Sequence, residues 1–284
     1  MKFNESNSTS QIGVEITDVD ISKPLSKDEL NSIYDLWVKN AVAIFPNQKL
    51  THDEYNDFAM QFGSFGDEPF LTPMKSQIHI VELRRKATEE ATHFGGSWHS
   101  DWSFQPSPPS ATMLHSKIVP PLGGDTLFSN SALAYDEMSN EMKDKIYNLN
   151  GIHSAKLPYA DNGFYALENK KRTMRIKSSK SANKQHLHPL VREHLNTQRK
   201  SLFINPVYTV GVEGMNDMEA FEFLSELFEH MTQDKYIYRH QWDKDMLIMW
   251  DNRSVMHMAE GGYDGYERLM HRITIAGETP IKSI

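Results

Sequence analysis

The sequence predicts a mainly-β protein with flanking helices, built as an antiparallel sandwich or barrel. Three observations predict it. From residue 98 onward, short apolar runs alternate with turn residues, which is the pattern of an all-β layer rather than of βαβ units. Only two helical patches, 132–148 and 217–232, interrupt those runs. The first third contributes two helices with explicit start signals, placed to pack outside a sheet. No internal repeat and no composition shift marks a boundary, so residues 1–284 read as one domain.

The elements follow in order. Residues 12–20 alternate well enough for a strand. Ser26 and Glu29 form a capping box, with Leu25 and Leu30 as its hydrophobic staple, opening a helix over 27–39. Residues 41–45 (AVAIF) read as a buried strand. Thr51 and Glu54 form a second box, opening a helix that ends near Gly63. A strand over 76–84 and a mobile loop over 85–97 come next. Further strands are expected at 98–104, 111–118, 125–129, 201–205, 235–242, 246–250 and 268–277. Asn216 and Glu219 cap the last helix, and the Lys-, Asn- and His-rich stretch 155–200 reads as exposed surface.

Composition narrows the function. Hydrophobic residues are 39% and aromatics 11% of the chain, enough for a sizeable core. Lys and Arg number 30 against 38 Asp and Glu, a net charge of −8, which opposes nucleic acid and anionic membranes as partners. A small anionic substrate needs only a few local cations and stays allowed. There are no cysteines, so disulfides, thiolate zinc sites and iron–sulfur clusters are excluded, and His and carboxylates remain as strong metal ligands. The first residues lack an apolar signal region and no window approaches a membrane span, so a soluble cytoplasmic protein is expected.

The chemistry concentrates in a few residues. In Trp98-His99-Ser100-Asp101, a strand would point His99 and Asp101 to the same side. Alone, that pair also fits a buried imidazole bonded to a carboxylate. A distant third ligand would change the reading, and His257, following the apolar run 246–250, is the best candidate. Two His and one carboxylate on one face of a metal leave positions open, as in non-haem Fe(II) oxygenases. Arg268 lies 11 residues past His257, across a Gly-rich turn, and Arg272 is four residues further, on the same side of a strand. Two guanidiniums beside a metal call for anions, since Arg matches carboxylates bidentately; surface arginines are the bland alternative. Gly123-Gly124-Asp125-Thr126 makes a tight turn that presents the Thr126 hydroxyl. His186 and His188 read as solvated, His115 as core, and His271 as facing away from the two arginines.

These stretches resemble the TauD/TfdA family. The resemblance is carried by 98–105 (WHSDWSFQ), 120–130 (PPLGGDTLFSN), 201–205 (SLFIN), and 249–259 with 268–277, supported by the pattern through 45–66, and it covers nearly the whole chain. It implies a double-stranded β-helix, or jelly roll, and an oxidoreductase using Fe(II), 2-oxoglutarate and O2. His99, Asp101 and His257 match the iron ligands. Thr126 and Arg268 match the residues holding the distal carboxylate of 2-oxoglutarate, and Arg272 the arginine that faces the substrate's anion. Trp102, Phe104 and Tyr208 would supply an apolar wall, although Trp102 beside Asp101 departs from the family's pattern. The expected reaction hydroxylates a C–H bond of a small anionic molecule (a sulfonate, aryloxy acid or other carboxylate), releasing succinate and CO2. The resemblance also implies a homo-oligomer. Two other classes remain open on the same ligands, a metal-dependent hydrolase and a non-catalytic binding protein.

Overall fold

A computed structural model of the chain describes residues 1–282. Its strands, in chain order, are β1 Lys2–Glu5, β2 Val14–Thr17, β3 Val42–Phe45, β4 Val81–Arg85, β5 Ala111–Ile118, β6 Thr126–Asn130, β7 Asn150–Ser154 and β8 Gln185–Pro189. They continue as β9 Val191–Glu193, β10 Lys200–Leu202, β11 Thr209–Val212, β12 Ile237–His240, β13 Leu247–Asp251, β14 Val255–Ala259, β15 Arg268–Ile275 and β16 Ile281–Lys282. The main sheet has the order β1-β2-β3-β13-β5-β15-β4, antiparallel except for β2 beside β3. A smaller sheet, β12-β6-β14, faces it. The two form the expected double-stranded β-helix.

Side-chain alternation explains why strands at the centre of the main sheet read as continuous apolar runs. Val42 and Ile44 of β3, with Ile248 and Trp250 of β13, point into the barrel and pack on Phe128 and Val255 of the smaller sheet. Their neighbours Ala43, Phe45, Leu247 and Met249 point outward onto the helices Lys27–Asn40 and His52–Met60. A strand buried on both faces loses the polar alternation of a half-exposed one. The two helices start where their capping boxes predict: Glu29 N donates to Ser26 Oγ and Glu54 N to Thr51 Oγ1. The helix Asp217–Met231 covers the other side, on a core including Met256, and Asn216 with Glu219 caps it as predicted.

Several boundaries differ from the sequence reading. The first strand shrinks to Val14–Thr17, the 76–84 strand becomes β4, and the 235–242 run opens with a 3-10 turn before β12. The patch 132–148 is two helices, Ser131–Asp136 and Asn140–Ile146, because Ser139 Oγ accepts from Met142 N and starts a new helix. Residues 98–104 are not a strand. His99 makes one bridge to His257, and the chain then turns, with Trp102 at φ +46° and Gln105 N donating to Trp102 O. A non-glycine residue there costs about 1–3 kcal/mol, which the packing of its buried ring on Phe70, Phe104 and Tyr159 offsets.

The stretch 155–200 is not simply surface. It holds β8, β9 and two short helices, and it buries Tyr159, Leu190, Arg192 and His194. His188 is buried too, bonding Gln105 O, where solvation was expected. Polar composition misled here because each buried polar group has found a specific partner. His115 is in the core as expected, and His271 faces away from the arginines, against His52. No helix among the described residues is long and apolar enough to cross a membrane.

Candidate active site

One end of the barrel gathers the predicted residues. His99 sits at its lone bridge to His257, with N–H···O contacts of 3.0 and 2.7 Å in the two directions, so two distant segments are pinned side by side. Asp101 arrives through the following turn. His99 Nε2 lies 3.6 Å from Asp101 Oδ1 and His257 Nε2 3.7 Å from Asp101 Oδ2. One atom from each residue falls within 4.8 Å of the others, and all three residues are buried. His99 Nδ1 donates to Ser97 O at 2.7 Å, which turns its Nε2 to the common point.

A polar network behind the triad holds the carboxylate in place. Thr112 Oγ1 donates to Asp101 Oδ2 at 2.6 Å, and Asp101 N donates to Asn252 Oδ1 at 3.3 Å. Asn252 in turn donates to Thr112 Oγ1 and accepts from Trp250 Nε1. Such partners orient a ligating side chain and tune its basicity. Burial favours a protonated Asp101, but Arg272, His257 and His99 outweigh it and hold the carboxyl well below its usual range. Burial, with His99 beside it, pushes His257 down to about 3. Both groups are therefore in the forms that bind a cation. The donor set, two imidazoles and one carboxylate without sulfur, suits Fe(II), Mn(II) or Zn(II).

Arg268 and Thr126 lie in the cavity that contains the triad. The turn before Thr126 requires its glycines: Gly123 and Gly124 have φ of +66° and +75°, and a Cβ on Gly123 would meet Gly261 O at 2.7 Å. Gly124 N donates to Gly261 O, bringing β6 beside the turn that leads into β15. Arg268 is 7% exposed and flanked by the rings of Trp242 and Tyr263. Its Nε has no partner, and among the described residues no carboxylate lies within ion-pair reach of it. Burial lowers its pKa, with Tyr263 and Asp125 opposing. A buried cation of this kind needs an anion. Thr126 Oγ1 accepts from Trp242 Nε1 at 3.0 Å, which leaves the threonine proton free to donate.

Arg272 points into the barrel as Arg268 does, two pleats further along β15. Its Nη2 is 3.1 Å from Asp101 Oδ1, and its Cζ lies 5.0 Å from the Trp102 ring. Beyond it opens a chamber of about 320 Å³, lined by Phe94, Trp102, Tyr159, Tyr165 and Tyr208 among others. Both cavities share Phe94, Gly95, His99, Asp101 and Arg272, so they meet at the triad. Trp102 and Tyr208 thus line this chamber. Phe104 does not; it packs behind, 5.0 Å from the Tyr208 ring and 5.6 Å from Phe70.

The sequence reading missed Asn252, Trp242, Tyr159, Tyr165 and Glu68. Tyr159 and Tyr165 fall in the stretch read as surface, and Glu68 is brought in from before β4. The loop before His99 is tied to residues 168–173: Thr92 N donates to Glu168 Oε1, Arg172 Nη2 to Thr92 O and Thr173 N to Glu89 Oε2.

Known proteins share this arrangement of chain. Residues 5–274 match the family described as taurine catabolism dioxygenase TauD, TfdA family. The chain is 34% identical over 257 residues to the alpha-ketoglutarate-dependent 2,4-dichlorophenoxyacetate dioxygenase of Cupriavidus pinatubonensis, covering 85% of this chain and 86% of that one. It is 30% identical over 294 residues to the alpha-ketoglutarate-dependent sulfonate dioxygenase of Saccharomyces cerevisiae, covering 97% of this chain and 67% of the relative. The structure of AAD-2 in complex with Mn(II) and N-oxalylglycine superposes with a TM-score of 0.78 at 27% identity, covering the whole of both chains.

Proposed function

The chain belongs to the TauD, TfdA family, whose dioxygenases use Fe(II), 2-oxoglutarate and O2, and from that membership we propose that it hydroxylates a C–H bond of a small organic anion with an apolar body. The observation that carries this reading is Arg268, a buried guanidinium without a carboxylate partner among the described residues, in the same cavity as a His–Asp–His set. A hydrolase on the same three ligands would leave that cation without a task.

His99, Asp101 and His257 hold the metal. Arg268 and the Thr126 hydroxyl bind the distal carboxylate of 2-oxoglutarate, the guanidinium by paired donors that match two oxygens. When bound, Fe(II) and 2-oxoglutarate activate O2, so that R–H, O2 and 2-oxoglutarate become R–OH, succinate and CO2. Asp101 stays ionised because Arg272 sits on it. Arg272 also reaches the chamber and meets the substrate's anionic end there, while Trp102, Tyr159, Tyr165 and Tyr208 exclude water around the apolar body. Relatives named for a phenoxyacetate and for sulfonates support a substrate of that class.

The test is succinate release from 2-oxoglutarate, with and without Fe(II), across a panel of aryloxy acids, alkyl sulfonates and carboxylates. Fe(II)-dependent release stimulated by one class supports the proposal. Release that is independent of Fe(II), or hydrolysis without O2 uptake, would sink it.

A further inference from the structure

Arg272 is not left to a ligand alone. The Glu68 side chain is 8% exposed and puts Oε1 3.5 Å from Arg272 Nε. Glu68 Oε2 accepts from Trp102 Nε1 at 2.9 Å. One buried carboxylate therefore ties down both the guanidinium and the indole of the chamber wall. Glu68 itself is not among the residues lining either cavity, so it backs Arg272 from within the protein. Asp101, Arg272 and Glu68 make a row of two carboxylates to one guanidinium. Burial, with Asp101 adding to it, pushes the Glu68 pKa above its usual value, while Arg272 and the hydrogen bond from Trp102 oppose this and favour the charged form. The hydrogen bond from Trp102 and the positive charge of Arg272 both favour an acceptor-only carboxylate.

We propose that Glu68 is a specificity-determining residue: by partnering Arg272 from behind, it weakens that guanidinium's pull on a substrate anion, so the chamber selects by the fit of an aromatic body more than by charge. This rests on the reading of Arg272 as the group that meets the substrate's polar end. A negative charge one guanidinium away from the anion repels it through a medium of low effective dielectric, where such terms are large. The substrate class that follows is a flat aryl or aryloxy compound whose polar end can be an anion or its neutral isostere. A short alkyl anion recognised by charge does not fit.

The experiment compares phenoxyacetate with phenoxyacetamide, as anion and neutral isostere, by calorimetric titration into protein loaded with Mn(II) and 2-oxoglutarate at pH 7.5. In the wild type the two affinities should lie within a few-fold. In Glu68→Gln, which keeps the acceptor for Trp102, the anion-to-neutral ratio should rise roughly tenfold, about 1.4 kcal/mol. Glu68→Asp, which keeps the charge, should retain the wild-type ratio. Equal ratios in wild type and Glu68→Gln overturn the proposal, as does a failure of Glu68→Gln to bind phenoxyacetate; a protonated Glu68 would give the former. If Glu68→Gln does not fold, the wild type decides: a preference for the anion above ~10-fold overturns the proposal. Titrations of Mn(II) and 2-oxoglutarate into the wild type come first, and their failure sinks the proposed function and the role of Glu68 together.

Discussion

Asn252 touches Asp101 through its backbone: its Oδ1 accepts from Asp101 N at 3.3 Å while its Nδ2 donates to Thr112 Oγ1, which in turn donates to Asp101 Oδ2. A closed ring of three residues from three parts of the chain thus holds the carboxylate of the triad. Asp101→Ala should abolish tight Mn(II) or Fe(II) binding. Asn252→Ala should weaken it by about 10–100-fold, the usual cost of losing an orienting partner. Metal titration followed by calorimetry checks both, and full metal affinity in Asp101→Ala would reject the triad.

Arg268→Ala should raise the KM for 2-oxoglutarate by roughly 30-fold or more, since truncating one side of a buried charge pair costs about 2–5 kcal/mol. Arg268→Lys should recover only part of that, because the planar fork is lost. Steady-state succinate release at varied 2-oxoglutarate reads the effect. An unchanged KM in both variants contradicts the role.

Arg272→Ala should leave the affinity for 2-oxoglutarate intact and remove substrate-stimulated turnover, while uncoupled turnover persists. The two readouts are titration of 2-oxoglutarate and succinate release without a primary substrate. Loss of 2-oxoglutarate binding would show instead that Arg272 holds the co-substrate.

Acid should destabilise the fold before carboxylates titrate. Burial, the largest cause in each case, pushes His115, His188 and His271 down to about 4 and His240 to about 3, against about 6.5 in the unfolded chain. Above that value these rings are neutral in both states and add no pH dependence. As pH falls from about 6.5 toward 4, the unfolded chain takes up protons that the folded chain refuses, so stability falls. Urea midpoints of the metal-free protein at pH 7.5, 6.0 and 5.0 should decline in that order, and His240→Gln should reduce the slope by up to one proton. A flat profile would show that these rings are protonated in the fold.

The amino-acid sequence by itself determined the mainly-β class, the three capped helices and the shared facing of the two arginines of β15. These are properties of local chemistry: a capping box acts within one turn of helix, and residues four apart on a strand share a face whatever lies around them. It also placed Gly123 and Gly124 at a turn. What only the tertiary structure decided depends on contacts across the chain. His99 and Asp101 converge through a left-handed turn at Trp102, not through strand parity, because a buried aromatic cluster outweighs the local strain. Tyr159 and Tyr165 reach the chamber from a stretch that looked solvated, and Glu68 reaches Arg272 from 204 residues away in the chain. A carboxylate that far off carries no mark of its partner in the sequence, since only the folding of β15 against the segment before β4 brings the two charges together.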